Sequence, residues 1–159
     1  MDTNDPYPTD ADIDEWDDAS LFSATALHAA KYLDRNGIPS ANEAERVLGC
    51  LFTFIGDVNN GGFGMWLDSA WPAAEVITPS LEKIGAPEMA SLVNSVISKL
   101  EAPDHFSTLG EWRDYLDSLP ESYHQSLEQL SEQYVNAEPA FLKAVYGYAR
   151  EHWRDVRTS

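Results

Sequence analysis

Apolar residues recur along this chain at three- and four-residue steps, and almost nowhere at the two-residue step of a half-buried strand. Trp16, Leu21, Phe22, Ala26, Leu27, Ala30 and Leu33 trace one such stripe, and Asn36-Gly37 supplies a stop after it. Ser40-Ala41-Asn42-Glu43 fits a capping box, in which the Ser40 side chain and the Glu43 carboxylate each satisfy a free backbone N–H. A second helix follows, with Val47, Leu48, Leu51, Phe52 and Ile55 inward. It runs into FIGDVNNGGFGMWLDSAW, Phe54 to Trp71, where Asn59, Asn60, Gly61, Gly62 and Gly64 interrupt an apolar run.

That interruption admits three readings. Asn60-Gly61 signals a hairpin, but the flanks continue in helical rather than alternating patterns. Gly61-Gly62-Phe63-Gly64 could form an anion-holding nest, yet the nearest bases are Arg46 and Lys83. The favoured reading is a junction between helices: Asn59 and Asn60 cap the end of the second helix, Gly61 turns left-handed, and Gly62 lets Phe63 and Trp66 enter the core.

Residues 73–84 read as a further helix, with Pro79 either kinking it or marking its first turn, and Gly85 ending it. Pro87 opens the next, which packs through Leu92, Val93, Val96, Ile97 and Leu100. Three more helical patterns cover about 109–119, 120–135 and 139–157. The pattern predicts an all-α protein: one compact domain of about seven helices over residues 11–159, after a flexible acidic tail at 1–10, with no repeat and no internal linker.

Composition adds little to the fold but much to the function. A chain of 159 residues buries about two-thirds of its unfolded surface without staples, and its one cysteine, Cys50, sits in the apolar run VLGCLFTFI as a small core residue. No stretch approaches the length of a membrane span, and the N-terminus is not a basic patch followed by an apolar segment, so a cytoplasmic protein is expected. The 27 acids against 10 Lys plus Arg give a net charge of -17, which disfavours direct contact with nucleic acid or an anionic membrane.

The distribution of that charge is uneven. Residues 1–30 hold eight acids and no Lys or Arg, and residues 101–138 hold nine acids against Arg113 alone. Residues 139–159 are mildly basic through Lys143, Arg150, Arg154 and Arg157. Within the blocks, Asp10, Asp14 and Asp17 or Asp18 fall at helical intervals, as do Glu111, Asp114, Asp117 and Glu121, and then Glu128 and Glu132. Like charges so spaced destabilise a helix by about 0.2–0.5 kcal/mol per pair, so a stripe kept at that cost suggests a use beyond solubility.

Catalytic chemistry finds no comparable support. None of His28, His105, His124 and His152 lies one helical turn from another histidine, and the HExxH pattern is absent. Tyr123-His124-Gln125-Ser126 brings a His near a Ser without an oriented base or oxyanion hole. No catalytic residue, metal site or cofactor is expected; an enzyme with an unrecognised site is the least favoured alternative.

Acids at every third or fourth residue of a helix lie roughly 5–6 Å apart, whereas one DNA strand carries a charge about every 3.4 Å. Two acidic elements side by side approach the density of DNA. DVNNGGF, Asp57 to Phe63, followed some twenty residues later by LEKIGAPEMASLV, Leu81 to Val93, resembles the DMP19-like (DUF4375) family over about Glu43 to Leu100. The sequence departs from the family pattern at Gly64-Met65-Trp66, where relatives often have a polar residue after the Phe. The resemblance implies an all-helical DNA mimic that occupies the DNA-binding surface of a transcriptional regulator. It makes Asp57, Asn59, Asn60, Gly61, Gly62 and Phe63 a structural signature. The expected partner is a basic DNA-binding protein, a transcription factor above all, met by the carboxylates of Asp10, Asp14, Asp17, Asp18, Glu111, Asp114, Asp117, Glu121, Glu128 and Glu132. An immunity- or antitoxin-type inhibitor of a basic toxin or enzyme is the runner-up. A homodimer is the favoured assembly.

Overall fold

The computed structural model describes residues 5–158 and holds six α-helices: α1 (Asp18–Asn36), α2 (Glu43–Ala70), α3 (Ala74–Lys83), α4 (Pro87–Ile97), α5 (Leu109–Asp117) and α6 (Glu121–His152). Short 3₁₀ turns lie at Ile13–Glu15, Ile38–Ser40, Pro103–His105 and Trp153–Asp155. Helix α2 packs on α1, α3 and α6, while α4 joins α3 to α6. Among the described residues there is no strand, as the pattern of apolar steps predicts.

The helix ends follow elementary capping rules, with instructive shifts. Asp17 is extended and accepts the Ser20 backbone N–H at 2.8 Å to open α1, and Gly37, at φ 78°, returns its N–H to the Leu33 carbonyl. The second capping box is two residues later than expected: Asn42, not Ser40, is the cap, and Glu45, not Glu43, answers it. The reason is tertiary. Glu45 is fully buried and also receives Arg157 from the far end of the chain, at 2.6 Å from its Nε.

Two prolines lie inside helices, Pro79 in keeping with the first of its two readings and Pro139 against its reading as a helix start. Pro79 falls within α3 and Pro139 within α6, both on solvent-exposed positions. At such a position the carbonyl that loses its N–H partner faces water, which lowers the cost of an interior proline. The patterns at 120–135 and 139–157 therefore belong largely to one helix of 32 residues, about 48 Å long.

The Gly-rich stretch is a sharp fold-back within α2. Gly61 (φ -156°, ψ 18°) and Gly62 (φ 71°, ψ -169°) leave helical geometry, so Gly62 and not Gly61 is the positive-φ residue. Asp57 accepts a hydrogen bond from the Ser69 hydroxyl, and the Phe54 ring lies 5.2 Å from that of Trp66. In a straight helix Asp57 and Ser69 would stand about 18 Å apart along the axis. The backbone at Gly62 is a region open essentially to glycine alone, and a Cβ there would sit 2.7 Å from the Ser131 hydroxyl.

That hydroxyl of α6 accepts the Phe63 N–H at 3.1 Å, pinning the elbow to the longest helix. Asn59 and Asn60 are exposed and make no side-chain hydrogen bond among the described residues; the elbow is set by its glycines and Ser131, not by asparagine caps. The two arms close on an aromatic centre in which Phe54 meets Phe63, Trp66, Tyr134 and Phe141 at 5.2–6.2 Å. Rings meeting mostly at steep angles add about 0.5–1.5 kcal/mol per pair beyond burial. Trp66 is core and Trp71 half-buried.

Of residues 1–10, expected as a loose tail, those described lie against the helices. Tyr7 donates its hydroxyl to the Trp153 carbonyl, Pro8 is buried, and Asp5 pairs with Lys31.

Candidate interaction surface

All ten carboxylates singled out by spacing are exposed, but the structure divides them into two dissimilar groups. Residues 10–18 do not form one helical stripe: Ile13–Glu15 is a 3₁₀ turn, and the extended Asp17 separates it from α1. Asp10 pairs with Arg154 at 2.6 Å and Asp18 with Arg150 at 2.7 Å, while Asp17 is occupied in capping Ser20. Ser20, through its backbone N–H first and its hydroxyl second, holds the Asp17 carboxyl below the usual range. Asp14 alone of this group has no ion pair or cap among the described residues. The cations that meet this block come from the mildly basic C-terminal end.

The second block is built differently. The expected run Glu111 to Glu121 is split between two helices, because Ser118-Leu119-Pro120 breaks α5 from α6. Helix α5 is fixed by Trp112, whose indole Nε1 donates to the Leu67 carbonyl at 2.8 Å, and by Arg113, whose Nε reaches the Asp68 carbonyl at 3.1 Å. These are orphan carbonyls at the C-terminal end of α2, so the only base of the acidic block is spent away from its acidic face. Arg113 also pairs with the Asp68 carboxylate at 3.2 Å. The start of α6 is tied down by Tyr123, whose hydroxyl donates to the Val96 carbonyl at the end of α4 at 2.9 Å.

With Trp112 and Leu116 turned inward, Glu111, Asp114 and Asp117 are left outside. Glu111 also accepts the Ser107 N–H at 2.7 Å. On α6, Glu121, Glu128 and Glu132 share one face, on which Val135 is 67% exposed. None of these six acids pairs with a Lys or Arg among the described residues. Asp117, the last residue of α5, even opposes the helix dipole. The two blocks lie toward opposite ends of α6: Glu121 and Arg150 are about 43 Å apart along it.

Spacing along the sequence found the exposed acids. It missed Glu45, a fully buried carboxylate that serves the fold. Burial pushes its pKa up, but hydrogen bonds from Arg157 and the backbone of Asn42 outweigh that and hold it below the ordinary value. It also missed the ion pairs that quench half of the first block, since their partners lie 132 and 144 positions away.

Titratable groups elsewhere do not converge. Burial pushes the Cys50 thiol up to about 11, with Arg46 only partly opposing, so the thiolate needed for nucleophilic chemistry is scarce. Burial also lowers His28 and raises Tyr148 to about 12. Among the described residues no three His, Cys, Asp or Glu side chains gather as a metal site, and no helix is long and apolar enough to cross a membrane.

Neither the curated proteins nor the solved structures contain a match to this chain. The family model described as DMP19-like protein matches residues 40–152, which takes in the elbow, α5 and all of α6 but leaves out the N-terminal acidic block. With most of its length so matched, the chain belongs to the DMP19-like family.

Proposed function

We propose that this protein is a non-enzymatic DNA mimic, and that α5 and the first half of α6 present the carboxylates that stand in for phosphates. The observation that carries the reading is the set of six exposed acids, Glu111, Asp114, Asp117, Glu121, Glu128 and Glu132, left without a Lys or Arg partner among the described residues, on helices anchored to the core. Asp10, Asp18 and Glu45 are each matched by an arginine; these six are not, among the described residues. Family membership supports the same role, since the resemblance implies occupation of a regulator's DNA-binding surface.

The occupant is a basic DNA-binding protein. Its groove-reading surface meets rows of charge on two successive helices, which steer association and make it sensitive to salt. Neutral isosteres test this. Asp114→Asn, Asp117→Asn, Glu128→Gln and Glu132→Gln together should weaken capture of the native partner at least tenfold and flatten its dependence on salt. Unchanged affinity at low salt would remove this face from the site. Simultaneous binding of DNA and this protein to one partner would point instead to an inhibitor of a basic toxin or enzyme.

A further inference from the structure

A second recognition element lies outside the residues shared with the family, at the N-terminal end. Residues 5–6 and the start of α1 enclose an open cavity of about 650 Å³, within the size range of sites that take small ligands or single side chains. Its apolar lining is Pro6, Trp16, Ala24 and Leu27, and the carboxylates of Asp5, Glu15 and Asp17 stand around it. The Trp16 backbone is held by Arg150, whose Nη2 donates to the Trp16 carbonyl at 2.8 Å.

The three carboxylates are not equivalent. Asp5 is matched by Lys31, and Asp17 caps Ser20 while keeping its charge; Glu15 has no ion pair among the described residues. Two carboxylates beyond the matched pair thus remain beside a half-buried indole. A cation over an indole is attracted by the negative face of the ring, more strongly as water is excluded. An aliphatic neighbour would cover Ala24 and Leu27.

We propose that this groove is a docking slot for an arginine or lysine side chain flanked by a leucine-like residue, presented by the basic partner. The partner's basic character rests on the functional reading above; the slot is tested without it. The slot supplies a short-range anchor, where α5 and α6 supply long-range attraction.

The probe is the tripeptide acetyl-Leu-Arg-Leu-amide, titrated into the ¹⁵N-labelled full chain, with the citrulline peptide as a charge-free isostere. The expected result is saturable shifts of the Trp16 indole N–H and the Ser20 and Ala24 amides, at least tenfold weaker for citrulline. Glu15→Gln with Asp17→Asn should weaken the arginine peptide tenfold, since asparagine still caps α1 and an otherwise unchanged spectrum reports the fold. Equal response to both peptides, or shifts spread over α5 and α6 instead, overturns the slot. So does a tenfold gain on deleting residues 1–4, which would make the chain's own N-terminus the occupant. Any of these leaves the α5–α6 reading standing, because that is read from different residues with the native partner.

Discussion

The two ends of α6 carry the same kind of charge in opposite circumstances. Near its C-terminal end, carboxylates from four places in the chain meet bases: Asp5 with Lys31, Asp10 with Arg154, Asp18 with Arg150, and Glu45 with Arg157. Near its N-terminal end, six acids of α5 and α6 meet no Lys or Arg among the described residues, and the local arginine, Arg113, is turned toward α2. The first arrangement holds residues near both ends of the chain to the helical body; the second makes no ion pair with Lys or Arg among the described residues, lends the fold only helix-start contacts at Glu111 and Glu121, and at Asp117 works against it. Charge that stabilises and charge that is merely displayed can therefore be told apart by what opposes them.

The largest expected effect tests the stabilising end. Arg157→Ala strips fully buried Glu45 of its cation, and should cost about 3 kcal/mol, toward the low end for such a loss because Arg157 is itself half-exposed. A denaturant midpoint measures it. The effect depends on pH with a definite sign. Glu45 has a folded pKa below its ordinary 4.5, so its contribution is present above that value and is lost as pH falls through the folded value. Wild type and variant should converge in acid.

Next in size is the elbow that anchors the acidic half of α6. Gly62→Ala forces a side chain into a region costing about 1–3 kcal/mol and against Ser131, so a loss of about 3 kcal/mol is expected. Adding Ser131→Ala should return only part of it, because the backbone strain remains. Gly64→Ala, two positions on, meets nothing within 4 Å and should be neutral or gain up to about 1 kcal/mol. Hydrogen exchange should show the loosening in α2 and the first half of α6 rather than at the chain termini.

Smaller effects separate display from support directly. Asp117→Asn should stabilise the fold by about 0.3–1 kcal/mol while weakening the partner. Arg154→Ala removes one exposed pair and should change stability by no more than about 1 kcal/mol. A large loss there, or a loss at Asp117, would break the distinction between the two ends.

Much of this was legible in the sequence, and the failures share a cause. Helical periodicity places α1, α4 and the all-α class, and Gly37, Gly85 and Pro87 mark helix boundaries, because those signals are local. The capping box was misplaced because Ser40 and Asn42 both suit an N-cap, and the choice falls to Arg157, 112 residues beyond Glu45. The Pro139 signal misled because an exposed carbonyl can be left to water. The acidic residues were found by spacing, but their division into matched and unmatched sets depends on pairings such as Asp10 with Arg154, which no local pattern encodes.

The measurement that bears most directly on the unmatched face is competition. The partner captured from native cells is held at fixed concentration with a labelled cognate DNA duplex, and this protein is titrated in. Mimicry by α5 and α6 predicts full displacement of the duplex, lost when Asp114, Asp117, Glu128 and Glu132 are neutralised. A stable ternary complex of partner, duplex and protein would contradict it.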